Sequence, residues 1–215
     1  MDIVQFLMQY ILHIDVYLIN FINQYGALTY ALLFAIIFCE TGLVIMPFLP
    51  GDSLLFASGS LAAQGNNPLN VVILFVLLVI ASIVGNKLNY LVGKYAGSTI
   101  IQHNWLINRK HLQKTHDFYA RHGGKTIIAA RFLPIIRTFA PFVAGLGNMG
   151  WKEFSLYNAI SAILWIGSLL SAGYFLGSLP IVRDNFSLVI YGIIMVSLLP
   201  AMILFLIRKF SPSKA

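Results

Sequence analysis

Charge is scarce in this chain, and negative charge is the scarcer kind. Only 10% of its 215 residues are Asp, Glu, Lys or Arg, where an ordinary soluble domain carries about a quarter. Seven residues are acidic and fourteen basic. With 59% of the residues hydrophobic, that scarcity excludes a soluble fold and indicates an integral membrane protein. The length allows one membrane domain, 1–215, with no separate soluble one. Cys39 is the single cysteine, which excludes an internal disulfide and a cysteine-built metal cluster. His103, His111, His116 and His122 lack the i, i+4 spacing of a helical metal pair, so neither metal nor cofactor is expected. Glycine-rich phosphate loops and the GxSxG elbow are missing as well. From Met1 to Asn86 there is no Lys or Arg at all. The net charge of +7 comes from basic residues that flank apolar spans, which argues for membrane orientation and against nucleic-acid binding. The start of the chain lacks the basic n-region of a cleavable signal peptide, so retention is expected.

What the chain has is hydrophobic length interrupted at particular places. Residues 1–25 read as an amphipathic interfacial helix, with Ile3, Leu7, Ile11, Ile14 and Leu18 on one face and Gln5, Gln9 and His13 on the other. A first spanning helix carrying His13 and Asp15 is the alternative. Residues 26–65 hold an apolar run broken by Glu40 and then by PFLPGD. Their second limb is too short to cross a bilayer alone, since a crossing takes about 20 residues. A re-entrant hairpin is expected there, bent at Pro47 and Pro50 with Gly51 beside the bend. Residues 69–92 are long enough to span. Residues 94–125 form a basic segment, read as a cytoplasmic interfacial helix or a solvated loop. Spans are expected again at 154–176 and 186–207, before a basic tail with Arg208, Lys209 and Lys214. By the positive-inside rule the 94–125 segment and the C-terminus are cytoplasmic, and the N-terminus lies on the outer side.

The stretch needing most explanation is AARFLPIIRTFAPFVAG, Ala129 to Gly145. It is apolar enough for a bilayer, yet it contains Arg131, Arg137, Pro134 and Pro141. An arginine at mid-bilayer costs roughly 2.5–3.5 kcal/mol on insertion scales. A second re-entrant hairpin over 126–149 is the expectation, because irregular backbone and charge are tolerated at membrane depth only around a polar cavity. A greasy cytoplasmic loop is the alternative. Each half then runs interfacial helix, Pro-broken hairpin with two charges, spanning helix. That is an all-α membrane fold built as an inverted repeat of two opposed re-entrant hairpins, with about three full transmembrane helices and two interfacial helices. Gly59, Ala62, Gly145 and Gly147 are expected to permit close helix approach, with a hinge role as the alternative.

Glu40 and Asp52 in one hairpin balance Arg131 and Arg137 in the other. Their summed insertion cost, roughly 10 kcal/mol unpaired, is offset if the hairpin tips meet. One reading is a salt-bridge staple without a ligand. The other uses the arginine fork as a phosphate ligand. An anionic lipid headgroup would draw Arg131 and Arg137 off the carboxylates, and a carboxylate left without its cation in a dry site takes up a proton.

FCETGLVIMPFLPGDSLLFASGSLA, GNKLNYLVGKYAG and HGGKTIIAARFLPIIRTFAPFVAGLGNM with WKEFSLYNAISAILW resemble the DedA family of bacterial inner-membrane proteins, related to the SNARE-associated Golgi proteins. The likeness runs over nearly the whole chain. It implies a multi-pass protein of opposed re-entrant loops that moves lipids in support of the envelope, with undecaprenyl phosphate recycling or phospholipid flipping proposed for members, in dependence on proton motive force. The essential acidic and arginine positions correspond to Glu40, Asp52, Arg131 and Arg137. One departure is Asn86, where members often have an acidic residue after the glycine. The expected function is a lipid flippase or translocase. Its partners are lipids with anionic headgroups and protons as the coupling ion, and a homo-oligomer is left open. The alternatives are a proton-coupled exporter of soluble substrates and a non-catalytic envelope scaffold. A lipid phosphatase would need an acid–base histidine or a nucleophile beside the arginines, and neither hairpin has a histidine, so no enzyme is expected.

Overall fold

A computed structural model describes residues 25–43, 51–63, 69–102 and 123–180, with isolated positions 182, 189, 192, 193 and 195. The interfacial helix expected at 1–24, the bend with Pro47 and Pro50, most of the basic segment and most of the 186–207 span lie outside the described residues. Every element among the described residues is helical: α1 (Leu28–Gly42), α2 (Gly51–Ala63), α3 (Val71–Gln102), α4 (Lys125–Arg131), α5 (Pro134–Leu146) and α6 (Trp151–Leu176).

Two of these helices are long and apolar enough to cross a membrane, Val71–Tyr95 of α3 and the whole of α6. At 1.5 Å per residue, 25 and 26 residues reach about 37–39 Å, enough for a hydrocarbon core of about 30 Å. α3 continues to Gln102, beyond the expected end of the span at Val92. Its first turn is capped by Asn70, whose Oδ1 accepts from the amides of Val72 (2.9 Å) and Ile73 (3.2 Å). One face of α3 presents Val72, Val76, Ile80, Val84, Leu88 and Val92 outward, at the four-residue spacing of a helical stripe. The opposite face is buried and includes Ser82, Asn86, Asn89 and Tyr90. α6 likewise exposes Leu156, Ile160, Ile163 and Leu164 and buries Asn158 and Ser161. An apolar outside around a polar inside suits a lipid solvent, where the exterior gains nothing from polarity and charges are held within.

α1 and α2, with 15 and 13 residues, reach only about 20 Å each. α1 runs parallel to α3: the backbone amide of Asn70 donates to Tyr30 Oη at one end (2.6 Å), and Gly42 meets the backbone of Gly85 at the other. α6 runs antiparallel to α3, with Asn86 level with Asn158 and Tyr90 stacked on Phe154 at 4.4 Å. α4 follows α6 in parallel, since the Gly124 amide donates to Glu153 Oε1 (3.0 Å) near the start of α6, and Arg131 lies over the Trp165 ring further along.

The second limbs cross to the other half. α2 packs on α6 so closely that a Cβ on Gly59 would strike the Leu170 carbonyl, and one on Gly173 would strike the Phe56 carbonyl. α5 packs on α3 in the same way, with Gly145 against the Tyr90 carbonyl and Gly93 against that of Phe142. Phe56 and Gly59 thus have their counterparts in Phe142 and Gly145, and Leu170 and Gly173 theirs in Tyr90 and Gly93. Small residues at such crossings let backbones approach, as expected for Gly59 and Gly145.

The second hairpin breaks between α4 and α5. Pro134 excludes helical backbone at the residue before it, and Leu133 is extended (φ −111°, ψ 105°). Pro141 differs from its expected role as a break, because α5 continues through it. The local cost is one helical hydrogen bond, since a proline has no N–H to give to the carbonyl four residues back, that of Arg137.

Candidate functional site

The helix ends converge on one buried charge cluster. Glu40 lies in the last turn of α1 and is fully buried, while Asp52 sits in the first turn of α2, where an anion complements the helix dipole. Gly51 lies between them. A Cβ there would overlap the Glu40 carboxylate, so the first residue of α2 has to lack a side chain for this acid to be seated.

The break in the second hairpin delivers the bases. Arg131 is the last residue of α4 and Arg137 lies in the first turn of α5. A cation at the positive end of a helix is locally unfavourable, and tertiary contacts offset it. Arg137 Nη1 donates to Asp52 Oδ1 (2.5 Å), and its Nη2 donates to Glu40 Oε1. Both carboxylates of the first hairpin therefore bond a single guanidinium of the second. Breaking a buried pair of this kind costs about 3–5 kcal/mol.

Arg131 is held differently. It is only 3% exposed, yet among the described residues no carboxylate forms an ion pair with it. Its Nη1 lies 3.3 Å from the Asn158 side-chain amide. The Asn86 amide, turned so that its oxygen faces this donor-only group, accepts from the same Nη1 and gives its own N–H to the Thr41 carbonyl (3.2 Å). Nε and Nη2 are buried with no hydrogen-bond partner among the described residues. Those two nitrogens form the side-on edge of the guanidinium, the fork that grips a phosphate or carboxylate through two parallel bonds. Arg137 has spent its end-on edge on the two acids, and Arg131 retains a complete side-on one.

Neutral groups complete the site. Trp165, 2% exposed in the middle of α6, has the Arg131 and Arg137 guanidinium carbons 5.0 and 4.8 Å from its ring centroid. Its Nε1–H donates to Asp52 Oδ1 (3.0 Å). Asn89 Nδ2 donates to the carbonyls of Thr41 (3.2 Å) and Thr138 (2.7 Å), tying the end of α1 to the start of α5.

The structure brings together Glu40, Asp52, Arg131, Arg137 and Gly51, with Pro134 opening α5 beside them. Gly145 and Pro141 lie further along α5, and Gly145 serves the crossing with α3. Trp165, Asn89 and Asn158 belong to the cluster without having been singled out in the sequence. A signal for them existed: asparagines inside apolar spans and an indole N–H at mid-span all need partners, which only the protein interior supplies.

Comparison with known proteins gives the geometry its context. The VTT domain family matches residues 49–175, from the bend of the first hairpin to the end of α6. The chain is 51% identical to Protein DedA of Escherichia coli K12, over 100% of this chain and 99% of that protein. It is 41% identical to an uncharacterized membrane protein of Mycobacterium leprae, over 78% and 75% of the two chains. To the inner membrane protein YqjA of Escherichia coli it is 36% identical, over 71% and 69%. No solved structure matches. Asp52, Arg131, Arg137 and the glycine crossings lie within the matched residues, with Glu40 just ahead of them, and the chain belongs to the DedA family of bacterial inner membrane proteins.

Proposed function

We propose that this protein is a transporter that moves phosphate-bearing lipids, undecaprenyl phosphate or a phospholipid, across the inner membrane at the expense of the proton gradient. The observation that carries the reading is the buried side-on fork of Arg131, two donors without a partner in a cluster whose carboxylates are both engaged elsewhere. An unpaired buried cation is costly, and an anion on the fork removes that cost. A phosphate monoester or diester supplies two oxygens at the required spacing.

Coupling follows from competition. A phosphate on Arg131 attracts Arg137 as well, and as Arg137 turns toward it Glu40 and Asp52 lose their cation. A carboxylate stranded in that dry interior is neutralised by a proton, so the headgroup and a proton travel linked. No bond of the lipid is made or broken in this scheme, and the protein is a transporter and not an enzyme.

The architecture that supports such movement is an inverted repeat of two re-entrant hairpins. α1 parallel to α3, α4 parallel to α6 and α3 antiparallel to α6 favour hairpins that enter from opposite faces. The reciprocal glycine crossings favour equivalent halves. With the basic residues cytoplasmic, the first hairpin enters from the outer side and the second from the cytoplasm.

The test is reconstitution in liposomes with headgroup-labelled undecaprenyl phosphate and, separately, labelled phosphatidylglycerol, under an imposed pH gradient. Wild type is expected to translocate one of them and Arg131→Ala to lose that activity. Transport by Arg131→Ala at the wild-type rate would sink the proposal. A scaffold role predicts instead that envelope phenotypes survive neutral substitution of all four charged residues together.

A further inference from the structure

Two acids and two bases buried together should by charge alone form two pairs, since each uncompensated ion in a dry interior is expensive. Both acids here bond Arg137, and Arg131 stands off. Something holds it there. Asn86 and Asn158 engage only Nη1. Among the described residues the other group against Arg131 is Trp165, which also touches two further parts of the cluster, the Arg137 guanidinium and Asp52 Oδ1.

We propose that Trp165 is the positioning residue that keeps Arg131 apart from the carboxylates and so keeps its fork open for an anion. The inference rests on the reading of Arg131 as a phosphate ligand. The aromatic face attracts the guanidinium strongly because both are desolvated, yet it brings no negative charge that would neutralise the arginine. The indole N–H acts on the other partner. It binds Asp52 Oδ1, the oxygen that Arg137 Nη1 also bonds, so that oxygen already has two donors and little capacity for a third. One side chain therefore supplies Arg131 with a neutral resting place and occupies an oxygen of Asp52. Replace the ring by an aliphatic group, and Arg131 falls onto Asp52, forms the second ion pair and ceases to be an anion site.

Collapse of that kind has a signature that loss of packing lacks, because it is reversed by removing the acid. The measurement is equilibrium binding of radiolabelled farnesyl phosphate to the full chain in phosphatidylcholine nanodiscs. Trp165→Leu is expected to weaken binding by about tenfold or more, the weight of one desolvated cation–π contact. Adding Asp52→Asn to Trp165→Leu is expected to restore most of the loss. Trp165→Phe keeps a ring and is expected to bind within a few-fold of wild type. Farnesol should not compete. Competition by inorganic phosphate assigns the site to phosphate in general, and competition by dodecyl phosphate alone assigns it to a lipid headgroup; each requires the open fork and supports the proposal. Wild-type binding by Trp165→Leu, or failure of Asp52→Asn to rescue it, overturns the role of Trp165. In that event loss of binding in Arg131→Ala leaves the phosphate reading standing, whereas absence of binding by wild type removes both. Should Trp165→Leu not fold, the Trp105→Phe/Trp151→Phe double variant leaves Trp165 as the sole fluorophore. Its emission must then shift as farnesyl phosphate neutralises the neighbouring cation, and an unchanged spectrum overturns the proposal.

Discussion

Two helix crossings in this molecule are alike in backbone contact and differ in the chemistry they carry. α2 meets α6 through Gly59 and Gly173 as α5 meets α3 through Gly145 and Gly93. Yet the acids belong entirely to the first hairpin and the buried arginines to the second. Even the two arginines, both buried beside the same indole, differ: Arg137 carries both carboxylates while Arg131 carries none. Two like crossings can thus bring unlike charges to one place, each helix pair contributing only part of the cluster.

The sharpest way to break the comparison is to remove each arginine in turn. Arg137→Ala leaves Glu40 and Asp52 buried without a cation, and is expected to destabilise the protein by about 3–5 kcal/mol, read from chemical or thermal unfolding in detergent. Arg131→Ala removes a charge that has no ionic partner, so its stability should stay near wild type while lipid translocation disappears. Equal losses of stability in the two variants would contradict the division of roles. Next in size are the glycine crossings. Gly59→Ala and Gly145→Ala each place a methyl group against a backbone carbonyl and are expected to cost about 1–3 kcal/mol. If the halves are equivalent, the two costs agree closely, and a large difference in unfolding midpoints would show that they are not.

The mildest change sharpens the contrast between the arginines by reducing it. Asn86→Asp sets a carboxylate opposite Arg131 Nη1, where the amide oxygen now accepts. A hydrogen bond to a charged group contributes about 1.5–3 kcal/mol at most. The expected result is a small gain in thermal stability with weaker binding of a phosphate lipid, measured side by side. Tighter binding in Asn86→Asp would argue against an open Arg131.

Much of this was legible along the chain. Glu40, Asp52, Arg131 and Arg137 stand out because each interrupts an apolar run, and an ion in such a run needs a partner whatever the fold. Pro134 announces a break, because a proline restricts its predecessor locally. Pro141 reads the same way in sequence and acts differently, since a helix already held by its packing on α3 can absorb one missing N–H. Trp165, in the middle of a span, is legible only as an indole N–H that needs a partner. Its role depends on which helices bring cations to its ring.

Composition and order of residues determined by themselves that the chain is a membrane protein, that its backbone breaks before Pro134, and that two acids and two bases balance. Hydropathy and backbone restriction act over a few residues and can be read from a few residues. Tertiary structure alone decided that one arginine takes both acids, that the other keeps an unoccupied fork, and that an indole lies against both. Those outcomes turn on the register of helix crossings between segments some 85 to 115 residues apart, and register is set by backbone contact at glycines that no local pattern specifies.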